Sequence, residues 1–206
     1  FKYIKDLEKK EIISGILALI TELKKIINFD PITEKSSKAD YVKDILEEKL
    51  LLDEKVIIFS QYVETLEYLK ANLPSHKISI YHGGLSQKER DSLIKNFKDS
   101  KSGEVLLISL KAGGVGLNLQ EASTVILFDR WWNPAVEHQA IGRADRFGRK
   151  GSLHVIKFVT VDTIEEKIED LLLNKQEIFN NIVEDVTPKT NKFSEKDLMF
   201  IIGGEN

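Results

Sequence analysis

The strongest constraint on this chain is an alternation of short apolar runs with segments of helical periodicity. Residues 55–60 (KVIIFS) form a continuous apolar run rich in β-branched residues, which is typical of a strand buried on both faces of a parallel sheet. Four more strands are predicted at the segments 77–81, 104–109, 124–128 and 153–159, with helices at 62–73 and 86–97 between the first three strands. This order predicts an α/β fold, in which a parallel sheet is flanked by helices and joined by right-handed crossovers.

Helical patterns also lie on both sides of the sheet region. Residues 11–27 predict a helix that stops before Pro31, because a residue that precedes proline avoids the helical region. A second helix is predicted near 39–50, with an apolar face made of Tyr41, Val42, Ile45 and Leu46.

After the sheet, Thr163-Ile164-Glu165-Glu166 predicts a capping box that opens a long helix. The polar segment 187–206, with an apolar patch from Leu198 to Ile202, predicts a tail or a short docking helix. We therefore divide the chain into three parts, a helical lead-in, an α/β domain, and a helix with its tail, at residues 1–50, 51–160 and 161–206.

Composition narrows the class of protein. The chain has no cysteine and its four histidines lack ligand spacing, so we predict no metal site. The lack of cysteine fits an intracellular protein, and no apolar run approaches the ~20 residues of a membrane span, so we predict no membrane partner. The net charge is −3, so any nucleic-acid contact should be local. The chain begins with Phe1, and we expect it to be a piece of a longer protein.

A glycine-rich stretch, 109–118 (SLKAGGVGLN), directly follows a predicted buried strand. Glycine lets the backbone come close to another molecule, and successive exposed N–H groups suit an anion such as a phosphate, with Lys111 adding charge. A tight turn that needs glycine for its shape is the alternative. A dinucleotide-binding loop is a third interpretation, but the pattern G-x-G-x-x-G requires glycine where this chain has Leu119.

The segment 129–134 (DRWWNP) ends the next strand and begins a helix. Asn133 is the predicted N-cap, and Pro134 suits the first helical turn. The two tryptophans of the chain are adjacent here. We expect one of them in the core and the other against a ligand or a second lobe; burial of both is the alternative, because large aromatic side chains usually bury.

Residues 139–149 (QAIGRADRFGR) lie on and after that helix. Arg143 and Arg146 are three residues apart, which predicts that they share a helical face and converge on one anion. The fixed fork of guanidinium donors suits a phosphate and can stabilise charge that develops during phosphoryl transfer. Arg149 and Lys150 make this end of the domain more basic. A solvated cationic face is the alternative, which the flanking glycines disfavour.

The segment Tyr81-His82-Gly83-Gly84 closes another predicted strand. It precedes a helix that opens with a capping box at 86–89 (SQKE). A Gly-Gly pair before a helix N-terminus can bind a phosphate, and a structural turn explains the same residues equally well.

Two patterns are missing from the sequence. There is no phosphate-binding loop of the form G-x-x-x-x-G-K-[ST]. No Asp-Glu pair follows a buried strand, where a magnesium site would be expected. The chain alone is therefore not expected to bind ATP and Mg²⁺ in the usual way.

The order of the motifs resembles the C-terminal lobe of Swi/Snf-type members of helicase superfamily two. The matching segments are 59–61 (FSQ), 81–90 (YHGGLSQKER), 109–119 (SLKAGGVGLNL), 129–134 (DRWWNP) and 139–146 (QAIGRADR). The combination of WWNP with Q-x-x-x-R-x-x-R is highly specific to this family. The resemblance implies a RecA-like lobe of an ATP-driven translocase that moves along double-stranded DNA and often remodels DNA-bound proteins. It also implies an N-terminal RecA-like lobe in the same protein, which would hold most of the ATP and Mg²⁺. The expected location is the cytoplasm or nucleoid of a prokaryote, or the nucleus of a eukaryote.

The resemblance assigns roles by position. Arg146 matches the arginine finger of the family and Arg143 its partner, both reaching the γ-phosphate on the other lobe. The positions that match the nucleotide-binding side are Gln139, Gly116 and Asn118. Of these, Gly116 and Asn118 belong to the motif that couples the nucleotide to DNA. The positions that face the DNA backbone are His82, Gly83, Ser109, Lys111 and Gly113. The helices before residue 50 resemble the end of the insertion between the lobes, and the helix near 163–183 resembles a brace.

The chain departs from the family at 145–149, where DRFGR replaces the common His-Arg-Ile-Gly-Gln. Both arginines remain, so the predicted finger role stands, while the contacts around Asp145 and Arg149 should differ. The resulting hypothesis is the second motor lobe of a double-stranded-DNA translocase, inactive alone. A non-catalytic RecA-like interaction module and an RNA-directed helicase lobe are the alternatives.

Overall fold

The run that most strongly predicted a buried strand, β1 (Val56–Ser60), is the central strand of a parallel sheet in the computed structural model. The structure describes residues 2–73, 77–110, 116–182 and 194–203, with the backbone alone at 2–10, 175–182 and 195. The other strands are β2 (Ile78–Tyr81), β3 (Val105–Ser109), β4 (Thr124–Leu127) and β5 (His154–Lys157). They are arranged in the order β2-β3-β1-β4-β5, and every neighbouring pair is parallel. The predicted fold class is confirmed.

Helices join and extend the strands. In chain order they are α1 (Lys2–Asn28), α2 (Ser37–Leu51), α3 (Val63–Asn72), α4 (Gln87–Asp99), α5 (Pro134–Ile141), α6 (Ile164–Ile182) and α7 (Glu195–Ile202). Each predicted helix is present, and the polar tail contains α7, as the docking-helix prediction required. Among the described residues, no helix has the length and apolar character to cross a membrane.

The strands place alternate side chains on opposite faces of the sheet, because successive residues of a strand point in opposite directions. One face carries Ile58 and Leu107, covered by α2 and α3. The other face carries Ile57 and Leu106, covered by α4, by α5 and by Leu119 from the glycine-rich motif. These strand residues are fully buried, as their continuous apolar runs predicted.

Two helix starts follow their sequence signals. The Ser86 hydroxyl accepts from the Glu89 N–H, and the Glu89 carboxylate accepts from the Ser86 N–H at 2.8 Å, which is the predicted capping box of α4. The Asn133 side chain accepts from the Ala135 N–H at 2.9 Å and caps α5, with Pro134 as its first residue. These caps satisfy amide groups that a helix leaves without internal partners.

Two local predictions are wrong. Tyr41 is largely exposed, whereas Val42 and Leu46 of α2 are fully buried, because the apolar stripe of this helix is narrower than the sequence pattern indicated. At the start of α6, the Glu166 carboxylate accepts from the Asp162 N–H rather than from Thr163, so the reciprocal bond of a capping box is absent there. The Thr163 hydroxyl accepts from the Glu165 N–H instead.

The chain forms two compact units, one of residues 28–158 and one of residues 1–27 with 159–206. The first unit contains the whole sheet. In the second unit, α7 packs on α6, with Leu198 and Ile201 buried. Gly203 ends α7 in the left-handed conformation that glycine adopts without strain.

Replacing Ser86 with alanine should lower the free energy of unfolding by about 1 kcal/mol, because the first turn of α4 loses its cap. Ser92→Ala, on an exposed position of the same helix, is the matched control and should change it by less than about 0.5 kcal/mol. Urea unfolding followed by tryptophan fluorescence measures both. Equal midpoints for the two variants would contradict the capping role.

Candidate functional site

The motif residues gather at the carboxyl edge of the sheet. His82, Ser109 and Asp129 each follow or end a strand, and parallel strands share the edge at which they end. In open parallel sheets, ligands bind outside this edge. The candidate site is therefore built on the loops that leave β2, β3 and β4.

The buried carboxylate of Asp129 joins the loop that leaves β4 to the end of β1. Its oxygens accept from the Gln61 N–H at 3.1 Å, from the Gln61 side-chain amide at 2.8 Å and from the Ser60 hydroxyl. Asn28 donates a further bond of 3.2 Å. Charge-assisted bonds of this kind stabilise a carboxylate that has left water. The end of β1 is thereby fixed against the segment that follows β4.

Asn28 extends this network to the start of α2. Its side-chain oxygen accepts from the Lys38 ammonium at 3.3 Å, and its carbonyl accepts from the Ser36 hydroxyl at 2.6 Å. Lys38 also donates to the carbonyl of Phe128 at 3.1 Å. A buried cation and a buried anion are thus bridged by one amide side chain, which lowers the cost of burying both.

A second buried ion pair positions the segment before α5. Glu137 accepts from the Arg130 guanidinium at 2.7 Å and from Lys157 at 3.2 Å. Its other oxygen accepts from the Trp131 N–H at 3.0 Å. The side chain of Glu137 is buried, so its partners must stay in place to avoid an uncompensated charge.

The turn after β2 is held by its own side chains. His82 Nδ1 accepts from the Gly84 N–H at 3.1 Å, and the Arg90 guanidinium donates to the Gly83 carbonyl at 2.6 Å. The Glu89 carboxylate already occupies the N-terminus of α4, and the bonds from Ser86 lower its pKa. A phosphate at that helix terminus would meet this charge, so the cap disfavours phosphate binding at the terminus of α4 itself. The predicted DNA contacts of His82 and Gly83 stay predictions.

The described part of the glycine-rich motif leads into the arginine segment. Gly116 is exposed, and a Cβ placed on it would meet nothing within 4 Å. The buried Oδ1 of Asn118 has no hydrogen-bond partner among the described residues. The Leu119 N–H donates to the Arg143 carbonyl at 2.9 Å. This bond joins the two predicted nucleotide-side segments.

Arg143 is half-buried, and its Nη1 has no partner among the residues that the structure describes. Burial lowers the pKa of its guanidinium; the nearby Tyr81 opposes this effect, and the charge of Arg146 adds to it. Arg146 and Gln139 are exposed, and Arg146 Nε lies 3.4 Å from the Gly142 carbonyl. The two guanidiniums are therefore neighbours with donor capacity to spare.

The prediction that both arginines share a helical face is wrong. Helix α5 ends at Ile141 with Gly142 as its C-cap, and both arginines lie in the turn that follows. The Arg143 carbonyl accepts from Leu119 rather than from a later amide of its own segment, so the helical ladder does not continue.

Comparisons with known proteins agree with this geometry. Residues 37–148 match the family described as the helicase conserved C-terminal domain. The C-terminal domain of a SWI2/SNF2 ATPase from Sulfolobus solfataricus superposes with a TM-score of 0.66 at 32% identity, covering 90% of this chain and 80% of that one. The core of the SWI2/SNF2 ATPase from the same organism, solved with double-stranded DNA, gives 0.67 at 32% identity, covering 90% of this chain and 41% of that one.

The chain belongs to the helicase C-terminal domain family. Its resemblance to the Swi/Snf type is confirmed by these structures. A putative ATP-dependent helicase/translocase of Bacillus subtilis, YwqA, is 38% identical over 182 residues, which are 82% of this chain and 20% of that protein. The chain thus spans about a fifth or less of the length of the curated relatives it matches.

Several residues of this Swi/Snf-type lobe are placed differently from the sequence prediction. Trp131 and Trp132 are both partly buried, so the full burial of both is wrong. The contact of one of them with a ligand or a second lobe stays a prediction. Ser109 is buried at the end of β3. Lys111 and Gly113 lie outside the described residues, and their predicted DNA contacts stay predictions.

The bonds of Asp129 at this edge were not predicted from the sequence. Asp129 was noted only as the first letter of a motif, although a Ser-Gln pair after one buried strand and an Asp after the next suggest a bridge between adjacent strand ends. Asn28 gave no comparable signal, because it lies far from both segments in the sequence.

Asp129→Asn should destabilise the unit 28–158 by about 3 kcal/mol, because an amide N–H₂ would face buried donors that lose their acceptor. Asp44→Asn, on an exposed position of α2, is the control and should stay within about 0.5 kcal/mol of the parent. Denaturant unfolding followed by the fluorescence of Trp131 and Trp132 reports on this unit. Overlapping curves for the two variants would refute the bridging role.

Proposed function

We propose that this chain is the second motor lobe of an ATP-dependent translocase on double-stranded DNA. In this proposal Arg143 and Arg146 complete an ATP site that is held mainly by an N-terminal RecA-like lobe of the same protein. The observation that carries it is the buried Nη1 of Arg143, which has no partner among the described residues and lies beside a second, exposed guanidinium.

Electrostatics favour an anion at this pair. Two neighbouring cations repel, and burial adds to the cost of the charge on Arg143, as the direction of its pKa shift indicates. A phosphate offsets both effects because its oxygens accept the forked donors of arginine. Since phosphoryl transfer spreads charge over equatorial oxygens, guanidiniums that meet those oxygens stabilise the transition state.

The residues present fit part of an ATP site. Arg143, Arg146 and Gln139 would meet the phosphate side, with Gly116 and Asn118 coupling that side to DNA. Within the described residues, no three acidic or histidine side chains gather as a metal site, and the sequence contains no phosphate-binding loop. ATP with Mg²⁺, when bound on the other lobe, supplies the phosphoanhydride bond to be cleaved. We infer that this lobe alone does not hydrolyse ATP.

Double-stranded DNA is the proposed track. A structural neighbour at 32% identity was solved with double-stranded DNA. The proposed contacts to the DNA backbone are His82, Gly83, Lys111 and Gly113; the buried Ser109 is left out of this set. Because the net charge is −3, a local contact through glycine amides and few cations fits better than a broad basic surface. Proteins bound to that DNA are the proposed objects of remodelling.

In the complete two-lobed protein, Arg146→Ala should lower DNA-stimulated ATP turnover by about 10³-fold, the lower end of the range for an arginine finger. Lys70→Ala, on an exposed position of α3, is the charge-matched control and should leave turnover unchanged. Steady-state hydrolysis with saturating duplex DNA, single-stranded DNA and RNA measures the effect and identifies the track.

Three results would contradict the proposal. Turnover that Arg146→Ala leaves intact would remove the finger assignment. Stimulation by RNA and not by duplex DNA would make the chain an RNA-directed lobe. Absence of stimulation by any nucleic acid would favour a non-catalytic interaction module.

Lys111→Ala should weaken duplex DNA binding without changing sequence preference, because phosphate contacts carry no sequence information directly. It should also make the slope of log affinity against log salt shallower by about 0.9, the value for one lost phosphate contact. Fluorescence anisotropy over a salt series measures the slope. A change in affinity with the parent slope would show that Lys111 does not contact phosphate.

A further inference from the structure

Arg149 stands out among the cations of the arginine segment because its guanidinium is used entirely within the protein. Nη1 donates to the carbonyls of Gln120 and Ala122 at 3.0 and 2.7 Å, and lies 3.3 Å from that of Ala144. Nη2 donates to Ser152 at 2.9 Å and Nε to Gly151 at 3.2 Å. All three nitrogens donate to backbone oxygens, so the solvated cationic face that was the alternative for this segment does not apply to Arg149.

The five carbonyls come from three separate segments. One follows Gly116 and Asn118, one is Ala144 between the two proposed finger arginines, and one is the loop before β5. The Arg149 N–H also donates to the Arg146 carbonyl at 3.1 Å. One guanidinium therefore joins the loop of residues 116–122, the turn of residues 142–147 and the loop of residues 151–152.

The backbone around Arg149 is shaped to allow this. Gly148 and Gly151 have φ of 88° and 87°, a conformation in which a side chain would be strained. The turn is also joined to the loop of residues 116–122, because the Gln120 side-chain amide donates to the Phe147 carbonyl at 3.1 Å. Phe147 and Arg146 themselves are exposed, so no packing of their own side chains holds this turn.

We propose that Arg149 is a positioning residue, which fixes the turn carrying Arg143 and Arg146 against the loop carrying Gly116 and Asn118. This inference rests on the proposed function. It explains how Arg143 and Arg146 keep their geometry and how their turn stays joined to the loop that carries Gly116 and Asn118. A lysine cannot replace it, because a single ammonium lacks the planar fork that reaches carbonyls in several directions. Arg149 does not contact phosphate, because its donors are already directed at backbone oxygens.

The test compares Arg149→Met, which removes every donor, with Arg149→Lys, which keeps the charge. Lys150→Met is the matched control, since it makes the same change at the next, exposed position. All are made in the complete two-lobed protein. Hydrogen exchange should accelerate at least about tenfold in peptides covering 142–152 of both Arg149 variants, while exchange in β1 and β3 and all exchange in Lys150→Met stay at parent values.

Steady-state kinetics then test whether the faster exchange of this turn affects ATP hydrolysis through Arg143 and Arg146. Both Arg149 variants should lower the DNA-stimulated kcat by about 10- to 100-fold, the cost of misplacing a catalytic group by about an ångström, with KM for ATP within twofold. In an Arg146→Ala background, Arg149→Met should have almost no further effect, because residues that act through one group are not additive. A residue that served stability alone would give additive losses.

Each outcome decides the proposal. Parent-like exchange in Arg149→Met, a raised KM with unchanged kcat, or a full additional loss in the Arg146→Ala background would overturn it. Turnover that ignores Arg146→Ala would instead remove the proposed function. Because hydrogen exchange does not depend on turnover, the two failures are distinguishable.

Discussion

A carboxylate that has left water needs donors on every side, and the edge of this sheet is organised around that requirement at Asp129. Its partners come from Ser60 and Gln61 after the central strand, and from Asn28 at the end of α1. Because removal of any one partner leaves a buried polar group unsatisfied, the loops cannot drift separately. The candidate site is therefore built on a fixed backbone. Exposed side chains such as Arg146 can then bind a ligand without also having to hold the loops in place.

The structure separates two uses of arginine within one short segment. The Arg149 guanidinium donates to backbone carbonyls. Arg143, in contrast, has a buried Nη1 without a partner among the described residues. A guanidinium gains most from an anion when water is largely excluded, since a lower local dielectric strengthens the attraction. The half-buried position of Arg143 is therefore suited to binding charge, and the internal bonding of Arg149 is suited to holding shape.

The fold was largely predictable because its signals are local. Continuous apolar runs predict the central strands, and Ser86 and Asn133 predict the starts of α4 and α5. The edge strand β5 is mostly exposed, but it was also predicted, because turn residues flank its run in the sequence. The family motifs then identified the arginine pair, whose assigned roles stay predictions.

What could not be predicted depends on contacts between distant segments. The turn conformation of Arg143 follows from a bond between its carbonyl and Leu119, which no helical period encodes. The role of Arg149 depends on five carbonyls that spacing does not reveal. The bridge from Asn28 to Asp129 joins residues with no common motif.

The parallel register also has a consequence for how the chain reaches its native state. In the central strand β1, Val56 pairs with Val105 of β3 on one side and with Thr124 of β4 on the other. Both neighbouring strands lie far along the chain and are therefore synthesised well after β1. Ordering such distant partners requires loop closure before any pairing is gained, which slows folding. During synthesis the apolar run VIIFS therefore stays without its strand neighbours for a time, and in that interval it is exposed to aggregation.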